Sequence, residues 1–154
     1  MYASSPRRYR DPAIVRQIDE AMREVKANPD PLAAGRRLAT LYHDRPPHHN
    51  MVPWRETFFT LAVEGNMHCL RALVFSGERL ATNKVLAAIF DGTLSNDLSL
   101  WALDFYLRKG FKYAVPAGQA FLKRPDATDG DKTHVSGLIA LVIAGKPLGL
   151  PYGF

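Results

Sequence analysis

Three segments of this chain carry the same apolar pattern into a glycine. Aligned on Gly77, Gly110 and Gly145, they read LRALVFSGERL (70–80), LDFYLRKGFKY (103–113) and LIALVIAGKPL (138–148). Each has an apolar residue seven, four and three positions before the glycine and another three after it. These are Leu70, Leu73, Val74 and Leu80; Leu103, Tyr106, Leu107 and Tyr113; and Leu138, Leu141, Val142 and Leu148. The three positions before the glycine share one face of an α-helix, and the glycine can adopt the left-handed conformation that ends it. The residue after it is expected to fold back onto that face. The glycines lie 33 and 35 residues apart. A two-helix unit of that length cannot bury its stripe alone, so successive units are expected to stack.

The remaining turn signals divide the chain into further helices. Asp11-Pro12 and Asp30-Pro31 each offer an N-cap followed by proline at the first helical position. They predict a helix pair over 11–43, the first helix carrying Ile14, Ile18, Ala21, Met22 and Val25 on one side. The segment DRPPHHNMVP (44–53) has three prolines and breaks the helical pattern. Beyond it the spacing predicts helices over 54–64 and 66–76, then one capped by Thr82 or Asn83 and ended by Gly92. It also predicts helices over 98–109, started by Asn96 or Asp97, and over 116–123 and 133–144, with RPDATDGDK (124–132) as a polar loop. No run alternates with period two, so the predicted class is all-α: a flexible basic stretch over 1–10, one helical domain over 11–148 and a tail over 149–154.

The copy ETFFTLAVEGNMHCLRALVFSGERL (56–80) resembles an ankyrin repeat. Its Leu61-Ala62-x-x-Gly65 matches that family's first helix and inter-helix glycine, and Gly65 to Gly77 is the family's step. Thr57 stands at the family's threonine position, whereas Phe58 replaces its proline and Thr60 its histidine. The other copies are degenerate. The resemblance covers about residues 54–148 and implies a short solenoid of stacked antiparallel helix pairs, with the 11–43 pair as an N-terminal cap. It also implies a role in protein–protein interaction through a concave surface. Repeat register draws that partner-binding surface from Trp54, Arg55, Glu78, Arg79, Asn83 and Lys112, with Lys146 as a further candidate. Reversing the charges of Arg55 and Arg79 is expected to abolish partner capture and leave the melt unchanged.

Composition excludes several alternatives. One cysteine, Cys69, leaves no internal disulfide and no multi-thiolate zinc site. The longest apolar run, 138–144, is far short of a membrane span. The net charge of +5, from 20 basic and 15 acidic residues, is modest for a nucleic-acid binder. Arg7, Arg8 and Arg10 around Tyr9 nonetheless offer a salt-sensitive phosphate contact. The N-terminus has no apolar stretch behind its basic residues, so a cytoplasmic location is expected, with delivery into a host cell left open.

Chemistry-bearing residues are few. His43, His48 and His49 flank the proline-rich segment and form the one place where a small enzyme could hold a histidine acid or base. Cys69 falls on an inward register position and reads as a buried thiol. Asp126, Asp129 and Asp131 lack the spacing and distal glutamate of a calcium loop. GKPLG (145–149) lacks the glycine spacing and hydroxyl of a phosphate loop and reads as a helix stop. Trp101, Phe105 and Tyr106 are aromatic anchors if exposed, but register sends at least two into the core. The expectation is a non-enzymatic adaptor or effector without a cofactor. Its tail LGLPYGF either caps the last repeat or supports self-association.

Overall fold

The computed structural model describes residues 12–27 and 55–150. Every regular element in them is a helix: α1 (Pro12–Ala27), α2 (Arg55–Val63), α3 (Met67–Ser76), α4 (Arg79–Phe90), α5 (Asn96–Arg108), α6 (Ala114–Leu122) and α7 (Asp129–Ile143). The all-α expectation holds among the described residues. The expected helix over 30–43, the basic stretch 1–10, the histidine-bearing segment 44–53 and the last four residues lie outside them. The chain divides into two compact units, 1–83 and 84–154, with the division inside α4.

In the first unit α1 lies against α2, and α2 packs along α3. Gly65 ends α2 with φ +105. Its N–H donates to Ala62 O at 3.0 Å and the Asn66 N–H to Leu61 O at 2.9 Å, a paired closure that satisfies the last carbonyls. Asn66 then caps α3 by accepting the Cys69 N–H at 3.1 Å. Phe58, Leu70 and Leu73 are fully buried between the helices. Each such side chain contributes about 1.5–3 kcal/mol through burial.

In the second unit α5, α6 and α7 pack against one another in every pairing. Ser95 caps α5, and Thr128 caps α7 by accepting the Asp131 N–H at 3.1 Å. The core draws on Ile89, Leu103, Tyr106, Phe121, Val135 and Val142. Gly118 lets α6 approach α7: a Cβ there would lie 2.9 Å from Ile139 Cδ1.

The apolar stripes before the glycines turn inward at all but one position, and the residues expected to close on them do not. Gly77, Gly110 and Gly145 have φ of +67, +81 and +74. Of the nine preceding stripe positions eight are buried, and Leu141 is partly exposed. The residues at +3 do not fold back: Leu80, Tyr113 and Leu148 are 51%, 79% and 57% exposed. In the second copy the closing contact comes two residues earlier. The Phe111 N–H bonds Tyr106 O at 3.0 Å, and the Phe111 ring stacks on that of Tyr106 at 5.6 Å. This is the apolar contact that accompanies a glycine-ended helix, and it occupies the face the +3 residue was expected to cover.

Four helix starts also move, among them that of α5, which begins at Asn96 because Ser95 rather than Asn96 or Asp97 is its cap. Helix α4 begins at Arg79, because the Glu78 carboxylate accepts the N–H groups of Leu80 and Ala81 at 3.2 and 3.0 Å. Thr82 and Asn83, the expected caps, lie inside it. Helix α6 begins at Ala114, with Pro116 in the first turn where its missing donor costs nothing. Helix α7 begins at Asp129 rather than Thr133. The Thr128 cap and two first-turn carboxylates, Asp129 and Asp131, stabilise the positive end of its dipole.

Candidate interaction surface

The sequence-derived surface separates into paired and open side chains. Arg55 and Glu78 hold each other: Arg55 Nε donates to Glu78 Oε1 at 2.8 Å and Nη2 to Oε2 at 3.4 Å. Their side chains are only 15% and 21% exposed. Because Glu78 also caps α4, this pair ties the start of α2 to the start of α4. Arg79 and Asn83 on α4 are exposed, as are Lys112 and Lys146 in the second unit. Trp54 lies outside the described residues. Reversing Arg55 sets two carboxylates against each other and loosens the cap, so the expectation of an unchanged melt does not fit this geometry.

The hydrogen bond from Arg55 holds the Glu78 carboxyl below its ordinary value of 4.5, against the opposing effect of burial. Folding therefore favours the ionised form. This stability is complete above the unfolded carboxyl range and is lost as pH falls through the depressed value. The urea midpoint of the wild type should drop more steeply between about pH 5 and about pH 3 than that of Glu78→Gln. Asp91 is shifted down as well, first by the Thr93 hydroxyl. It titrates in both proteins, so the difference isolates Glu78. Parallel pH profiles would show that the pair contributes nothing.

Cys69 is fully buried on α3, and burial pushes its thiol up to about 12. A thiol so placed is no nucleophile near neutral pH. It should resist an aromatic disulfide reagent in the folded protein and react once per chain in urea. Fast reaction of the folded chain would contradict the burial.

The second unit carries a polar tie that the sequence did not reveal. Arg108 Nε donates to both oxygens of Asp104 at 3.0 Å, and His134 Nε2 donates to Asp104 Oδ1 at 2.7 Å. The first bond lies along α5 and the second joins α5 to α7. Asp129 and Asp131 belong to the first turn of α7, and no group of three metal-ligating side chains occurs among the described residues. Gly145 ends a helix, as expected of GKPLG. An open groove of about 550 Å³ lies along α6 and α7, bordered by Leu122, Lys132, Thr133, Ser136, Gly137 and Ala140. It is shallow and holds no acid–base pair.

One end of the second unit gathers a different set. The Gly149 N–H donates to Arg108 O at 2.8 Å. A Cβ on Gly110 would lie 3.0 Å from Pro147 Cγ, so the chain leaving α7 runs against the turn leaving α5. Lys109, Lys112 and Lys146 are exposed there with Tyr113 and Leu148. The aromatic rings form a ladder inward from Tyr113. It meets Phe111 edge-on at 6.4 Å, Phe111 stacks on Tyr106, and Tyr106 meets Phe105 at 5.7 Å. Lys109 Nζ sits 5.2 Å from the Phe105 ring and 5.0 Å from the Phe111 ring. Cations over two ring faces gain electrostatic attraction that fixes their position.

No protein-family model matches this chain. No curated protein and no solved structure matches it either. The surface must therefore be read from its own chemistry.

Proposed function

We propose that this protein is a non-enzymatic interaction module, adaptor- or effector-like. In this reading it is a short ankyrin-like stack of helix pairs that docks a partner protein through its inter-pair turns and first helices. One observation carries the reading. Behind each of three helix-ending glycines, the same register position exposes a large apolar side chain, Leu80, Tyr113 or Leu148. A basic residue stands beside or near each: Arg79, Lys112 and Lys146. Single exposed apolar residues need no explanation, but a repeated placement marks each of these turns as a contact point. The seclusion of Cys69 and the tie-like geometry of Asp104 and His134 support a binding role over a catalytic one.

Affinity capture from nuclease-treated lysate tests this. Wild type is compared with Arg79→Glu/Lys112→Glu, whose side chains are both exposed. The expected result is one stoichiometric protein, lost in the variant at an unchanged melting temperature. Equal capture by both would overturn the assignment of these two turns.

A further inference from the structure

We infer that the lysine-bearing end of the 84–150 unit binds an acidic protein segment with apolar side chains spaced between its carboxylates. This rests on the interaction reading above and names the chemistry of the partner.

The acids of this unit are sorted by end. Its acids are Asp91, Asp97, Asp104, Asp126, Asp129 and Asp131. Five lie at the end where α5 and α7 begin. There Arg124, at the close of α6, donates to Leu94 O and to Asn96 Oδ1, both at 2.9 Å. The sixth, Asp104, is occupied by Arg108 and His134. No acid occurs in 105–125 or after Asp131. The opposite end, where α5 and α7 finish, carries Lys109, Lys112 and Lys146. Two helix C-termini contribute about half a negative charge each and the N-terminus of α6 about half a positive one, which leaves a net of about +2.5 on this face. Lysines serve helix C-termini in many proteins, but three of them exceed what two dipole ends neutralise.

The same face is apolar in a way that a dipole does not require. Tyr113 and Leu148 are more than half exposed, and Pro147 seats against Gly110 between the two turns. Tyr113 stands on Phe111, which is stacked on buried Tyr106, so this anchor loses little freedom on binding. A carboxylate-rich segment with interspersed leucine or phenylalanine satisfies both features at once. A phosphate backbone would use the lysines but leave Leu148 and Pro147 without partners, and nucleic-acid faces favour arginine forks. Carboxylates steer the encounter, and the apolar side chains hold the complex.

Binding is measured by fluorescence anisotropy with the full chain and a short peptide of alternating acidic and Leu/Phe residues. Two controls keep half of its chemistry: one with serine for the apolar residues, one with lysine for the acids. A single-stranded oligonucleotide and phosphatidylserine vesicles are tested in parallel. The acidic apolar peptide should bind about tenfold tighter than either control, and weaken by about tenfold in Lys112→Glu/Lys146→Glu and in Tyr113→Ser. Added salt should weaken it further. Melting temperatures of the variants should fall by no more than a few degrees, since all three side chains are exposed and only helix-end charge terms and one ring contact are lost. Equal binding of the basic peptide overturns the inference. Lys112-dependent binding of the oligonucleotide or the vesicles, without peptide binding, overturns it in favour of that ligand. If lysate capture depends on Lys112 while the peptide fails, the acidic segment is wrong and the interaction surface stands. If capture is independent of this face, the broader reading falls first.

Discussion

Replacing Arg124 with alanine is expected to destabilise the 84–150 unit by about 2–4 kcal/mol, lowering the melting temperature by about 10 °C. One guanidinium at the end of α6 donates to Leu94 O, Asn96 Oδ1 and Ile89 O at 2.9, 2.9 and 2.8 Å. Ile89 lies in the last turn of α4, so the cation also sits at the negative end of that helix. Its Cζ lies 5.3 Å from the centroid of the Phe121 ring. Burial pulls Arg124 below its ordinary range while Asp126 and Asp91 pull the other way. Alanine withdraws a charged donor from all three: Leu94 O keeps only the Ser99 hydroxyl at 3.1 Å, Ile89 O keeps the Gly92 N–H at 3.3 Å, and Asn96 Oδ1 must turn to water. Lysine, a single point charge, cannot reach all three and should restore less than half of the loss. Urea midpoints at constant slope measure the effect, and the amides of 92–94 should lose exchange protection first. A variant within about 0.5 kcal/mol of wild type would falsify the view that this side chain joins the 91–95 loop to the end of α6.

The two internal helical glycines should respond in opposite directions. Gly118→Leu is expected to cost about 3 kcal/mol, because side-chain atoms there enter the packed seam of α6 and α7. A Cβ alone would meet Ile139 Cδ1 at 2.9 Å, Ile139 Cγ1 at 3.3 Å and Val135 Cγ1 at 3.5 Å. Ile139 can turn its terminal methyl aside for alanine, so Gly118→Ala should be close to neutral. Gly137 has nothing within 4 Å of its Cβ position. Gly137→Ala should therefore stabilise by about 1 kcal/mol, through helix propensity and a less mobile unfolded chain. Matched urea titrations of the three variants decide this. Equal effects at the two sites would mean that α6 and α7 do not approach through Gly118.

Much of the helical organisation was legible because it rests on local rules. Stripe positions such as Leu70, Leu103 and Leu138 follow from helical period, and the helix ends at Gly77, Gly110 and Gly145 follow from the left-handed conformation that glycine tolerates. The helix expected over 66–76 starts within one residue of α3, and Asn66 accepts the Cys69 N–H as its cap. The misreadings have one origin. Glu78 was taken as an open binding residue, yet it bonds Arg55 across 23 positions and caps α4. Glutamate has a weak intrinsic capping preference, and nothing local announces its partner. The start of α7 was set four residues late, because a run of Asp, Gly and Thr has the composition of a loop until Thr128 caps it.

The candidate surface was legible only in part. Lys112 belonged to the sequence-derived set and is exposed, and Tyr113 and Leu148 were marked as a repeated register position. Their exposure was not foreseeable, because Phe111 covers Tyr106 in place of Tyr113. That competition between two nearby rings depends on backbone geometry after the glycine.

The sequence alone determined the all-helical class, the helix-ending glycines and the inward stripes, since each depends on interactions within a few residues. Tertiary structure decided which charged groups are structural and which are open. Arg55, Glu78, Arg124 and Asp104 are held by partners from elsewhere in the fold or along one helix, whereas Arg79, Lys112 and Lys146 face solvent. A charge is committed by what stands within about 3 Å of it. For Arg55, Arg124 and His134 that neighbour is 23 to 35 residues away in the chain.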